Sequence, residues 1–150
     1  MKFFTFYSES HKPLLDLFCK SYFDHCDEDL YIKKIQQKCN GDYHSDGWKN
    51  SMKDKLQFIL DSLNICADNE LMVHCDSDII FNKGCSEYIN SVFKDIDIAF
   101  QWDSSGVCMG FFVCKTSSRV KDFFLKMLNN IDNFTDDQYC ANFYIKNKEF

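Results

Sequence analysis

Proline occurs once in the 150 residues and glycine only five times. That is too little turn chemistry for a sandwich of many short strands. No apolar run approaches the roughly 20 residues that span a bilayer, and the apolar part of the opening "MKFFTFYSES" is too short for a secretory leader. Basic clusters are missing as well. The 17 Lys and Arg are scattered among 23 Asp and Glu, for a formal net charge of −6, so no stripe that would track a nucleic-acid backbone emerges. The nine cysteines form no CxxC pair and no framework spacing. They read as reduced, mostly buried thiols of a cytoplasmic protein. His25, Cys26, Cys39 and His44 are suitable zinc ligands by type, but their order matches no common zinc module.

What is present is a core-forming chain. Hydrophobic residues make up 45% of it and Phe alone contributes sixteen positions, which excludes a wholly disordered protein. The length suits one domain that buries roughly 70% of its unfolded surface. Residues 3–7 and 29–35 read as strands. A helix opens at His11-Lys12-Pro13, with Leu14, Leu17, Phe18 and Tyr22 on its buried face. Residues 36–47 read as a loop. Residues 48–63 read as a helix with a wide stripe of Trp48, Met52, Leu56, Ile59, Leu60 and Leu63. A strand over 70–81 and a short helix around Tyr88, Ile89, Val92 and Phe93 follow.

In "IDIAFQW" (96–102), Ile96, Ile98, Phe100 and Trp102 alternate onto one face. The nearly continuous apolar run at 107–115 predicts a strand covered on both sides. A helix capped by Ser117 or Ser118 comes next, and Thr135-Asp136-Asp137-Gln138 fits a capping box for a last helix to about residue 146. Alternating strands and helices predict an α/β sandwich with a mainly parallel sheet, whose ligand site lies beyond the carboxyl ends of the strands.

Two acids stand at that place, in "HCDSDIIF" (74–81). In an extended backbone residues i and i+2 project to the same side, so Asp76 and Asp78 are expected to point together. Adjacent carboxylates repel unless a cation sits between them. Mg²⁺ or Mn²⁺ takes one or two carboxylates and completes its shell with water and substrate phosphates. The opposing reading is a strand end with solvated acids. Lys55 falls on the apolar stripe of its helix with Met52 and Ile59, so it is expected to point inward. It is either a contact to a substrate phosphate, with Lys53 as substitute, or a snorkelling lysine.

Five segments, in order, resemble the nucleotide-diphospho-sugar transferases, the glycosyltransferases of the GT-A fold. "MVHCDSDIIF" resembles their DxD strand, and "FYSESHKPLLDLFCKSY" their first strand and helix. "KDKLQFILDSL" resembles the lysine-bearing helix before the DxD. "CMGFFVCKTSSRVKDFF" resembles the Asn-x-Gly-Phe-Phe strand, and "DDQYCANF" the Asp-Gln motif. The resemblance implies a GT-A-like α/β/α sandwich with a mainly parallel, mixed sheet. It implies an enzyme, a metal-dependent glycosyltransferase that moves a sugar from a UDP- or GDP-sugar donor to a hydroxyl of a glycan or other acceptor.

Carried over by residue, the resemblance makes Asp78 the direct ligand of Mn²⁺ or Mg²⁺, with Asp76 on the ribose or a metal-bound water. Lys55 would lie on the donor phosphates, and Asp137 and Gln138 near the transferred sugar or acceptor. Gly110 would give close backbone approach to the sugar. Asp137 is the named candidate for a catalytic base, and Asp103, at a strand end, the further candidate for the donor crevice. Each has a plainer role to set beside it: the helix macrodipole for Asp137, the capping box for Gln138, a turn for Asp103 and strand packing for His74.

Cys108 stands where the family has Asn. The chain is also short for this family, so residues 1–150 are either a minimal domain or one lacking the usual C-terminal acceptor segment. A remnant that binds nucleotide-sugar without turnover is therefore the alternative. Haloacid-dehalogenase phosphatases carry their DxD on the first strand, and polymerase-beta-like nucleotidyltransferases need an upstream Gly-Ser pair that is missing here.

Overall fold

The computed structural model describes residues 1–39, 45–104 and 106–150. Five strands form one sheet: β1 Lys2–Tyr7, β2 Asp29–Lys34, β3 Leu71–Cys75, β4 Ile98–Asp103 and β5 Gly106–Lys115. Their spatial order is β2-β1-β3-β5-β4. β1 pairs in parallel with β2 and β3, whereas β5 runs antiparallel to both β3 and β4. One reversed strand in an otherwise parallel sheet is the mixed arrangement expected. It brings the carboxyl ends of β1, β2, β3 and β4 to a single edge.

Alternation along the strands divides the core. Phe4, Met72, Phe112 and Cys114 pack on one side, beneath helices α2 Trp48–Ile65, α4 Ser118–Asn130 and α5 Asp137–Lys146. Phe3, Val73, Cys75 and Val113 pack on the other, beneath α1 Lys12–His25 and α3 Ser86–Val92. β5 is thus covered on both faces, which its unbroken apolar run requires. Five of the nine cysteines are buried and none is exposed. No helix among the described residues is long and apolar enough to cross a membrane.

Several local expectations are corrected. The strand expected over 70–81 stops at Cys75. Asp76 N–H donates to Gly110 O at 2.7 Å, and Ile79 N–H then turns back to Asp76 O at 3.3 Å. Residues 76–78 therefore form a turn. On α1 the buried residues are Leu15, Phe18, Ser21 and Tyr22, while Leu14 and Leu17 are exposed. On the short helix Ile89 is buried and Tyr88 and Val92 are exposed, with Phe93 packing just beyond its end.

In β4 a register shift between Phe100 and Gln101 ends the alternation. Ile98 and Phe100 meet the core, but Trp102 is 74% exposed and Ile96 precedes the strand. Ser117 caps α4, accepting from Val120 N at 3.3 Å. For α5 the cap is Asp136, which accepts from Tyr139 N at 2.6 Å. The cap expected at Thr135 is displaced by one residue, and with Tyr139 three residues on the capping box does not close. Of the proposed zinc set, His44 lies outside the described residues, as does the centre of the 36–47 loop. Among the described residues no three His, Cys, Asp or Glu side chains converge to hold a metal.

Candidate active site

Two cavities open at the shared edge of strand ends. The first, about 240 Å³, is walled by Phe6, Tyr7 and Ser8 from the end of β1, Ile35 and Gln36 beyond β2, and Trp48, Ser51 and Met52 of α2. The second, about 510 Å³, is walled by Gln101, Cys108, Met109 and Gly110 of the β4–β5 pair, by Asp137 and Gln138 of α5 and by its cap Asp136. Lys55, Asp76, Asp78, Trp48 and Met52 line both. The crevice therefore has two compartments with a charged floor in common.

That floor is a lysine between carboxylates. Lys55 points inward and is 5% exposed. Its Nζ donates to Asp76 Oδ2 at 2.9 Å and lies 3.2 Å from Asp137 Oδ2. Burial alone would lower the lysine's pKa, but the Asp137 and Asp76 carboxylates outweigh it and hold the pKa above its ordinary value. Burial alone would likewise raise the Asp76 carboxyl. Lys55 and His74 reverse that and keep it well below the usual carboxylate range. A cation satisfied by two anions has no charge to spare, so Lys55 joins the two compartments more than it offers a free ammonium to phosphate.

The two aspartates of the DxD differ. Asp76 is half-buried and held from behind, whereas Asp78 is exposed. They share the crevice through the turn at 76–78, rather than through strand alternation. Ser77, between them, is buried and lines the first cavity. Gly110 stands behind Asp76: a Cβ there would meet Asp76 Oδ2 at 3.1 Å and Cys108 Sγ at 3.4 Å. Its small size thus accommodates the Asp76 carboxylate as well as lining the cavity. Gln138 Nε2 donates to Asp103 Oδ2 at 2.9 Å, which diverts its amide from the box it was expected to close. Asp103, the last residue of β4, reaches the crevice through Gln138 and does not itself line either cavity. Lys53 pairs with Asp132 at 2.7 Å and lines neither cavity. His74 is fully buried and bonds Asp76.

Sequence reasoning missed Asn142. Its side chain accepts from Val107 N at 3.1 Å and donates to Val107 O at 3.2 Å and Gln138 O at 2.9 Å. One buried amide thus fastens the first turn of α5 to the start of β5 and sets the height of Asp137 and Gln138 over the cavity. Gly106 makes room for it. With φ of +132° and Asn142 Oδ1 only 2.0 Å from where a Cβ would be, no other residue fits there. The only sequence signal was an Asn one helical turn beyond Gln138, too common to notice.

Solved structures supply the wider context. A glycosyltransferase involved in glycosylation of the major capsid of PBCV-1 aligns with 96% of this chain and 74% of its own at a TM-score of 0.70 and 10% identity. The chain has the GT-A-like glycosyltransferase fold. Apo glycosyltransferase GlyE of Streptococcus pneumoniae TIGR4 gives a TM-score of 0.61 at 11% identity, over 97% of this chain and 43% of its own. The galactosyltransferase LgtC, solved with donor and acceptor sugar analogues, gives 0.52 at 11% identity, over 85% and 62% respectively. This GT-A-like chain therefore spans less than two thirds of GlyE and LgtC. No protein-family model and no curated protein matches the sequence.

Proposed function

We propose that the chain is a metal-dependent glycosyltransferase, taking a sugar from a nucleoside-diphosphate donor to a hydroxyl acceptor. The supporting observation is the two-compartment crevice: Asp76, Asp78, Lys55 and Asp137 meet at the strand ends of a GT-A-like fold. The ring-walled first cavity suits a nucleoside. The second, with its carboxylates and amides, suits sugar hydroxyls.

The donor set fits a hard divalent cation. Asp78 is an exposed carboxylate at the rim, and Asp76 has one oxygen on Lys55 and the other on His74, so each oxygen retains a lone pair. One or two carboxylates suffice for a Mg²⁺ or Mn²⁺ site finished by phosphates and water. Bound there, the cation would neutralise charge on the departing nucleoside diphosphate. Asp78 would hold that cation where it faces the diphosphate end of the donor. Asp76 fixes the donor's orientation from the floor. Asp137 is the carboxylate toward the acceptor, and Gln138, braced by Asp103, orients sugar hydroxyls. Trp48 and Met52 supply apolar walls common to both compartments.

One observation favours a second reading, a module that binds nucleotide-sugar without transferring it. Cys108 lines the second cavity where the family has an amide, which removes one polar contact. Release of nucleoside diphosphate from a panel of nucleotide-sugars, with and without Mn²⁺, separates the readings. Metal-dependent release supports transfer, binding without release supports the module, and neither binding nor release contradicts both.

A further inference from the structure

His74 is a fully buried polar side chain with one satisfied nitrogen and one bare one. Its Nε2 is 3.2 Å from Asp76 Oδ1, while its Nδ1 is enclosed with no hydrogen-bond partner among the described residues. The ring stacks on Phe112 at 5.0 Å and 24° and on Phe6 at 6.1 Å and 28°, and Phe58 approaches it edge-on at 6.2 Å. Three phenylalanines around a polar ring make an apolar slot. A histidine placed there only for packing would cost the desolvation of its bare nitrogen, which Phe would avoid. What histidine adds to a phenylalanine-shaped filler is one N–H at its tip, and that tip meets Asp76.

We infer that His74 is a positioning residue that aims the Asp76 carboxylate into the crevice. The inference rests on the reading of Asp76 as a donor- and metal-facing group. Asp76 accepts from Lys55 on Oδ2 and carries no proton, so His74 Nε2 must be the donor on Oδ1. Both oxygens are thereby gripped from the protein side. The carboxylate cannot rotate without losing a bond, and its remaining lone pairs face the cavities. His74 lines neither cavity, so its effect passes entirely through Asp76. Partners of this kind behind a metal-facing group typically matter about 10- to 100-fold in metal affinity.

The test uses three variants, with Mn²⁺-dependent UDP binding by calorimetry and melting temperature for each, and ring nitrogen NMR on the wild type. The wild-type ring should be protonated on Nε2 and bare on Nδ1. His74→Phe keeps the slot filled and should melt near the wild type, yet bind the Mn²⁺–UDP pair about tenfold or more weakly. His74→Gln carries a donor at the Nε2 position and should recover much of that loss. His74→Asn carries one at the Nδ1 position and should not.

Wild-type affinity in His74→Phe, or a wild-type ring protonated on Nδ1, overturns the inference. So does equal loss in all three variants in step with their melting temperatures, because that is the mark of packing alone. If the wild type itself binds no Mn²⁺–UDP, the proposed function fails and the inference with it. That outcome is distinct from variants that bind as well as a competent wild type.

Discussion

The two compartments of the crevice are built in opposite ways. The first is walled by rings and short polar groups on strand ends and α2. Among its side-chain hydrogen bonds, Gln37 Nε2 to Cys39 O at 2.8 Å and Ser8 Oγ with His11 Nδ1 at 3.2 Å join residues close in sequence. The second depends on a chain of them: Asn142 ties α5 to β5, Gln138 braces on Asp103, and Asp137 leans on Lys55. Rings and largely local polar contacts define the one, and polar contacts between residues distant in sequence define the other. Substitutions should therefore damage them by different routes, with the shared floor as the place where both fail together.

The largest effect is expected at that floor. Lys55→Met leaves Asp76 and Asp137 facing each other and should cost about 3–5 kcal/mol in urea unfolding, because a buried charge loses its partner. The comparison also has a pH signature. A carboxylate with a depressed folded pKa stabilises the fold above its unfolded value, about 3.9, and loses that contribution as pH falls toward the folded value. The wild type should accordingly lose more stability than Lys55→Met between about pH 5 and about pH 2. Parallel stability curves would remove the ion pair from the account.

A smaller effect is expected behind Asp76. Gly110→Ala puts a methyl 3.1 Å from its carboxylate without backbone strain. Stability should fall by about 1 kcal/mol, and the carboxylate should be pushed toward the rim. Donor binding should weaken more than the fold does, which paired calorimetry and melting curves would reveal. The smallest effect, confined to the second compartment, is expected at Gln138. Gln138→Ala should leave nucleoside diphosphate binding unchanged and raise the acceptor KM several-fold. A fall in nucleotide affinity would erase the distinction between the compartments.

Much of the frame was legible in the sequence because it rests on periodicity. The limits of β1, β5, α2 and α4 follow from where apolar spacing begins and ends. The inward aim of Lys55 followed from its place on a stripe. The misses have a common physical cause. On α1 the residue pairs Leu14–Leu17 and Leu15–Phe18 have the same helical spacing, and only the neighbouring layer decides which faces the sheet. The strand expected to run through Asp78 stops at Cys75 because its pairing with β5 ends at Phe111. The partners of Gln138 and Asn142 come together by tertiary pairing across 35 residues, and no spacing rule reaches that far.

The central claim is that the exposed and half-buried aspartates of one turn divide the labour, with Asp78 meeting the cation and Asp76 fixed by the protein. Calorimetric titration of UDP and GDP into the wild type and Asp78→Asn, with and without Mn²⁺, tests it directly. The account predicts Mn²⁺-dependent nucleotide binding in the wild type, and its loss in a variant whose melting temperature is unchanged, as expected for an exposed site. Equal binding with and without Mn²⁺, or undiminished Mn²⁺-dependent binding in Asp78→Asn, would contradict it.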